Sequence, residues 1–214
     1  MPSSPTRGHL YVVAAPSGTG KTSLVRALMA ARPQLKFSVS YTTRPMRPNE
    51  LDGRDYHFVD RTTFEAMVER GELLEWARVF DNYYGTGLHV VQQALARGES
   101  LILEIDWQGA QQVRAKLPEA VQVFILPPSR AELEQRLRGR GTDSPEVIAR
   151  RLQDSVTELS HWHEFGFVLV NDVFEDALAQ LIRVADAGGG AAVDDLRASR
   201  PGLAAFAATL LDKS

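Results

Sequence analysis

The chain has 214 residues, 44% of them hydrophobic, with 24 basic against 27 acidic side chains and a net charge of −3. That length buries one substantial α/β core with small inserted subdomains, and the near balance of charge offers no general surface for nucleic acid or an anionic membrane. With no cysteine, no apolar segment behind MPSSPTRGH and no long apolar run, disulfide frameworks, thiolate zinc sites and membrane spans are excluded, and the chain reads as soluble and cytoplasmic.

The first element is LYVVA, an apolar strand, followed by the turn Ala15-Pro16-Ser17-Gly18-Thr19-Gly20 and by Lys21-Thr22 opening a helix to about Ala31. Strand, glycine-rich turn and helix in that order form a phosphate cradle. Gly18 and Gly20 allow the backbone to wrap and turn its N–H groups inward, Lys21 reaches the β and γ phosphates, Thr22 sits on Mg²⁺, and the helix adds the positive end of its dipole. Ala15 stands where the strict pattern has its first glycine.

Beyond Arg32-Pro33, FSVSYTT alternates as a strand, residues 44–60 are turn-rich, TFEAMVERG is a short helix, LLEWARVF a strand, and NYYGTG a loop before a helix from about Leu88. LILEID is a buried strand whose Glu104 and Asp106 stand at alternate positions, on one face. A helix over Trp107 to Lys116 and the buried strand VQVFIL follow. Ser129 with Glu132 forms a capping box before a basic helix, and Ser144-Pro145 starts a long helix through about His163. FVLVN and EDALAQLIRVADAG give the last core strand and its helix; Gly188-Gly189-Gly190 reads as a flexible joint before an Ala-rich terminal helix. Alternating helices and nearly continuous apolar strands predict an α/β fold with a parallel sheet covered on both faces.

APSGTGK, SYTTRPMR with GRDY, EWARVFDNYYGT, LEIDWQGA and RGRGTDS stand in one order over about residues 9 to 187. Together they strongly resemble the guanylate kinase family. The resemblance implies a P-loop core (residues 8–37, 91–128 and 156–187), a mixed α/β GMP-binding subdomain (38–90) and a helical lid (129–155), with 188–214 left as a C-terminal helical appendage. It implies transfer from ATP, with Mg²⁺, to GMP or dGMP, in purine nucleotide metabolism. By the same resemblance Ser40, Arg44, Arg47, Tyr56 and Tyr84 hold the GMP phosphate, Glu75, Thr86 and Asp106 read guanine, Arg136, Arg140 and Arg151 are the lid arginines, and Asn171 lies beside adenine.

The residue chemistry agrees. Arginine forks and tyrosine hydroxyls suit phosphate oxygens, and a carboxylate with a hydroxyl satisfies guanine's N1–H, amine and O6 in a way adenine cannot match. Either Glu104 or Asp106 is expected to order Mg²⁺ water. His161 and His163, at i and i+2, do not converge as metal ligands. A related kinase of ribose 1,5-bisphosphate would have no use for the guanine-reading residues, and a catalytically silent scaffold module would not keep Lys21, Thr22 and the lid arginines. No oligomeric state is specified by the sequence.

Overall fold

In the computed structural model, residues 7–79, 81–139 and 145–212 are described, without the side chains of 145–151. In chain order the elements begin with β1 (Leu10–Ala14), α1 (Lys21–Ala31), β2 (Lys36–Phe37), β3 (Tyr41–Thr42), β4 (His57–Phe58) and α2 (Arg61–Glu69). Next come β5 (Leu73–Val79), β6 (Asn82–Gly87), α3 (Leu88–Ala96), β7 (Leu101–Glu104), α4 (Trp107–Lys116) and β8 (Val121–Leu126). The last are α5 (Arg130–Arg138), α6 (Pro145–Ser160), β9 (Phe167–Val170), α7 (Phe174–Asp186) and α8 (Leu203–Leu211), with 3-10 turns at Trp162–Glu164 and Ala191–Leu196.

The chain divides into two compact units, one of residues 1–10, 34–103 and 108–120, the other of residues 11–33, 104–107 and 121–214. In the second unit β1, β8 and β9 run parallel, Val13 opposite Val123 and Val123 opposite Phe167. Every residue of β1 and β8 is buried, as strands covered on both faces require. Helix α1 buries Leu24, Val25 and Leu28. Its C-terminal Arg32 meets Asp186 at the end of α7 through two contacts of 2.6 Å, and the Tyr11 hydroxyl donates to Ala185 O at 2.6 Å. Burial foremost, with the charge of Asp186, pushes the Tyr11 phenol up to about 12.

The first unit holds a four-stranded sheet in the order β4-β3-β6-β5. Phe64, Met67 and Leu73 form its buried centre, with Tyr41, Trp76 and Tyr83 packed around them. Strands β5 and β6 pair antiparallel, Glu75 opposite Thr86 and Trp76 opposite Gly85. A Cβ at Gly85 would lie 2.9 Å from Glu75 O, so only glycine allows the two strands to approach there.

Several local expectations are corrected. NYYGTG is not a loop but β6, because pairing with β5 overrides its turn-rich composition. FSVSYTT splits into β2, paired with β7, and β3, paired with β4 and β6. The strand of LILEID ends at Glu104, leaving Asp106 beyond it. The long helix stops at Ser160 and continues as the 3-10 turn at Trp162–Glu164; its Ser144 cap lies outside the described residues. Gly188-Gly189-Gly190 is a hydrogen-bonded turn, with Gly188 N, Gly189 N and Gly190 N donating to Ala185 O, Val184 O and Ala187 O. The segment after it is seated on β9: Arg197 bridges Phe167, Ala198 N donates to Gly166 O at 3.1 Å, and Arg200 Nη1 donates to Val168 O at 2.5 Å.

Candidate active site

The phosphate cradle lies wholly in the second unit. Buried β1 delivers the chain into residues 15–20, where Gly18 (φ 92°) and Gly20 (φ 87°) are left-handed, a region that strains any residue with a Cβ. Thr19 folds the turn onto itself, its hydroxyl donating to Pro16 O at 2.8 Å. The buried amide of Asn171 donates to Thr19 O at 2.6 Å. Above Gly18 lie Leu133 and Leu137 of α5, so close that a Cβ would meet both at 3.1 Å. Ser129 caps that helix through the Glu132 N–H. The Glu132 carboxylate accepts from Arg136 at 2.8 Å, and Arg136 also donates to Asn171 O at 3.2 Å. Arg136 and Asn171 thus join α5 to the turn that forms the cradle.

Lys21 opens α1 and donates to Ile105 O at 2.9 Å. Burial holds its ammonium below the ordinary lysine range, opposed by the charges of Glu104, Glu158 and Asp106. The Thr22 hydroxyl donates to the Glu104 carboxylate. A cavity of about 320 Å³ is lined by residues 15–18 and 20–23 together with Asp106 and Glu158. Its lining combines glycine-rich backbone, the Lys21 ammonium, the hydroxyls of Ser17, Thr22 and Ser23 and two acids, a set able to hold a polyphosphate with a hard divalent cation. The Thr22 and Glu104 oxygens fit Mg²⁺, which takes one or two such protein oxygens and leaves its other positions to phosphate and water. Asp106 lines the same cavity.

Glu158 was not foreseen. On α6, its carboxylate accepts from the Ser17 N–H and faces Lys21; burial, the larger influence, raises its pKa. One of three acids in a sixteen-residue helix, it carries no local signature. Elsewhere on this side, His161 stacks on Trp107 (ring centroids 3.5 Å apart, 8° between planes) and bonds Glu164. Among the described residues no cluster of three or more His, Cys, Asp or Glu could hold a metal. Arg138 pairs with Glu134 on the exposed side of α5. Arg140 lies outside the described residues, as does the side chain of Arg151, whose backbone is in α6.

Ser40, Arg44, Arg47, Tyr56, Glu75, Tyr84 and Thr86 all fall in the first unit. Strand pairing sets Glu75 against Thr86, both buried, and the Thr86 hydroxyl donates to Glu75 Oε1 at 2.6 Å. Their side chains therefore form one linked polar group within the sheet, with the Thr86 proton turned to the carboxylate. Across β3, Ser40 O accepts from His57 N at 2.9 Å. The Arg44 guanidinium lies 5.5 Å from the Tyr56 ring centre and donates to Glu50 at 2.7 Å, while Tyr56 meets Tyr84 edge to face at 5.9 Å. Burial foremost raises the Tyr56 phenol, which therefore stays protonated and able to donate.

A buried parallel sheet whose first strand runs through a glycine turn into a helix headed by Lys21-Thr22 defines a P-loop nucleotide-binding fold of the NTPase class. The guanylate kinase family model matches residues 7–187. A guanylate kinase of Methylococcus capsulatus is 58% identical over 176 residues, 82% of this chain and 86% of that one. One of Chromohalobacter salexigens is 57% identical over 177 residues, 83% of this chain and 82% of the other. The crystal structure of guanylate kinase from Anaplasma phagocytophilum superposes with a TM-score of 0.68 at 32% identity, covering 87% of this chain and 89% of that chain. The chain belongs to the guanylate kinase family.

Proposed function

We infer that this chain transfers the γ-phosphoryl group of ATP to GMP, giving ADP and GDP. The buried Glu75 and Thr86 pair is the observation that carries the choice of acceptor, because it sets a carboxylate and a hydroxyl together; on binding, the carboxylate would accept from guanine N1–H and the amine while Thr86 turns its proton from Glu75 to O6. Asp106 is assigned to the guanine amine. dGMP, which carries the same base and the same phosphate, is proposed as a second acceptor.

Ser40, Arg44, Arg47, Tyr56 and Tyr84 are proposed to bind the acceptor phosphate, and residues 15–22 the phosphates of ATP. The second pKa of a phosphomonoester is about 6, so the attacking oxygen is already ionised near neutrality and no general base is required. What remains is to hold two polyanions in line and to stabilise spreading charge. Lys21 and the lid arginines Arg136, Arg140 and Arg151 are assigned that task, and Asn171 is proposed to support the ATP side. Thr22 would hold Mg²⁺, with Glu104 or Asp106 ordering its water; bound there, the ion would supply positive charge against the phosphates.

A coupled assay presenting ATP with GMP, dGMP, AMP or ribose 1,5-bisphosphate tests the reading. Turnover is expected with GMP and dGMP. Preference for AMP or for the sugar bisphosphate, or no transfer to any acceptor, would overturn it.

A further inference from the structure

In the turn-rich segment after β3, one acid touches two of the proposed phosphate ligands at once. Glu50 Oε1 accepts from Arg44 Nη2 at 2.7 Å, and Oε2 accepts from the Arg47 backbone N–H at 2.8 Å. The side chains of Arg44 and Glu50 are only 13% and 18% exposed, so this pair is shielded in a way that surface ion pairs are not.

The remaining faces of the Arg44 guanidinium are also constrained. Nη1 donates to Pro45 O at 2.7 Å, the Tyr84 hydroxyl accepts from the guanidinium, and the rings of Tyr56 and Phe58 lie at 5.5 and 5.7 Å. The other acids of the segment are engaged in its backbone. Asp52 Oδ1 accepts from Phe58 N and Asp55 Oδ2 from Leu51 N, both at 2.8 Å.

We propose that Glu50 is a positioning residue of the acceptor site, its carboxylate fixing the Arg44 fork and the Arg47 backbone so that the two arginines meet the monophosphate in a set orientation. This rests on the GMP reading above. The geometry separates two opposite roles for an acid beside a phosphate site. A competitor for the phosphate would engage Arg44 alone, whereas Glu50 also spends its second oxygen on the main chain three residues back. Fixing a fork before the ligand arrives removes ordering cost from binding, and a planar bidentate donor loses more than a point charge does when misaimed. The contact also holds the Glu50 carboxyl below the usual carboxylate range, through Arg44 first and the Arg47 N–H second.

The test compares Glu50→Gln and Glu50→Ala with the unaltered chain by calorimetric binding of GMP and of guanosine, at an ionic strength of about 0.15 M where long-range charge effects are screened. Glutamine keeps the shape but offers one acceptor oxygen, so it can serve Arg44 or Arg47 and not both. Expected is a loss of GMP affinity of roughly 10- to 100-fold, the scale of a hydrogen bond to a charged group, with guanosine binding changed less than about twofold. In kinetics the KM for GMP rises by the same factor while kcat at saturation moves little. In an Arg44→Ala background, Glu50→Gln should cost much less, since the two act as one unit.

Unchanged GMP affinity would overturn the proposal. So would tighter GMP binding, which marks a competing anion, and so would equal losses for GMP and guanosine, which mark general damage to the subdomain. If the unaltered chain fails to bind GMP, the functional reading fails instead.

Discussion

Gly20→Ala is expected to damage the cradle by two additive routes. Gly20 sits at φ 87° as the residue before α1, and a left-handed backbone costs a residue with a Cβ roughly 1–2 kcal/mol. A Cβ there would also lie 2.6 Å from Asn171 Nδ2. That amide can move only by giving up Thr19 O, a buried contact, and a buried hydrogen bond left unmade costs about 1–3 kcal/mol. The sum is about 2–5 kcal/mol, or a fall in Tm on the order of 5–15 °C for a chain of this size. Scanning calorimetry of Gly20→Ala, Asn171→Ala and the double variant separates the routes. With the amide gone, Gly20→Ala should retain only its conformational cost, so the two changes should be less than additive by about 1–3 kcal/mol. A Gly20→Ala protein melting with the parent, or strictly additive losses, would refute the steric argument.

Lys21→Ala should lower turnover by about 10²- to 10³-fold, the scale of losing one charge-stabilising donor, while GMP affinity measured by calorimetry stays within about twofold; near-parental turnover would remove Lys21 from the transfer step. Glu75→Gln should cut the ratio of kcat/KM for GMP over AMP by at least about tenfold, because rejection of adenine depends on leaving the carboxylate unpaired, and an unchanged ratio rules that role out. Tyr11 gives a pH prediction. Its phenol is raised from 10.0 to about 12, so the folded state favours the neutral form, and the stability it contributes is full below pH 10 and is lost as pH rises through about 12. The parental Tm should therefore fall more steeply than that of Tyr11→Phe across this window, and parallel curves would contradict the assignment.

The cradle was legible because its logic is local: apolar strand, glycines, Lys21 and Thr22 follow one another directly. The residues proposed for the acceptor site stand out in the sequence through several motifs in one order, but their organisation does not. NYYGTG looks like a loop to any rule that weighs Asn and Gly, and becomes β6 only because β5 lies beside it and Gly85 lets the strands close. Glu50 acts six residues back on Arg44, and Glu158 reaches Ser17 from 141 positions away. Such pairings depend on tertiary placement, and nothing in their neighbouring sequence sets these acids apart from the many solvated ones.

The segment seated on β9 bears on solubility. Phe167–Val170 is a short run of apolar, strongly β-forming residues at the end of the strand order of its sheet, the kind of exposed rim on which chains stack into aggregates. Here the rim is occupied from within, by the Arg197 bridge and by the Arg200 guanidinium seated on Val168 O. A half-buried cation on Val168 O, together with the backbone bridge at Phe167, hinders an intruding strand, because groups already paired within the chain are not open to a neighbouring molecule. Truncations or fusions that unseat residues 191–200 should therefore precipitate as concentration rises, and inactivity in such proteins would report on self-association rather than on chemistry.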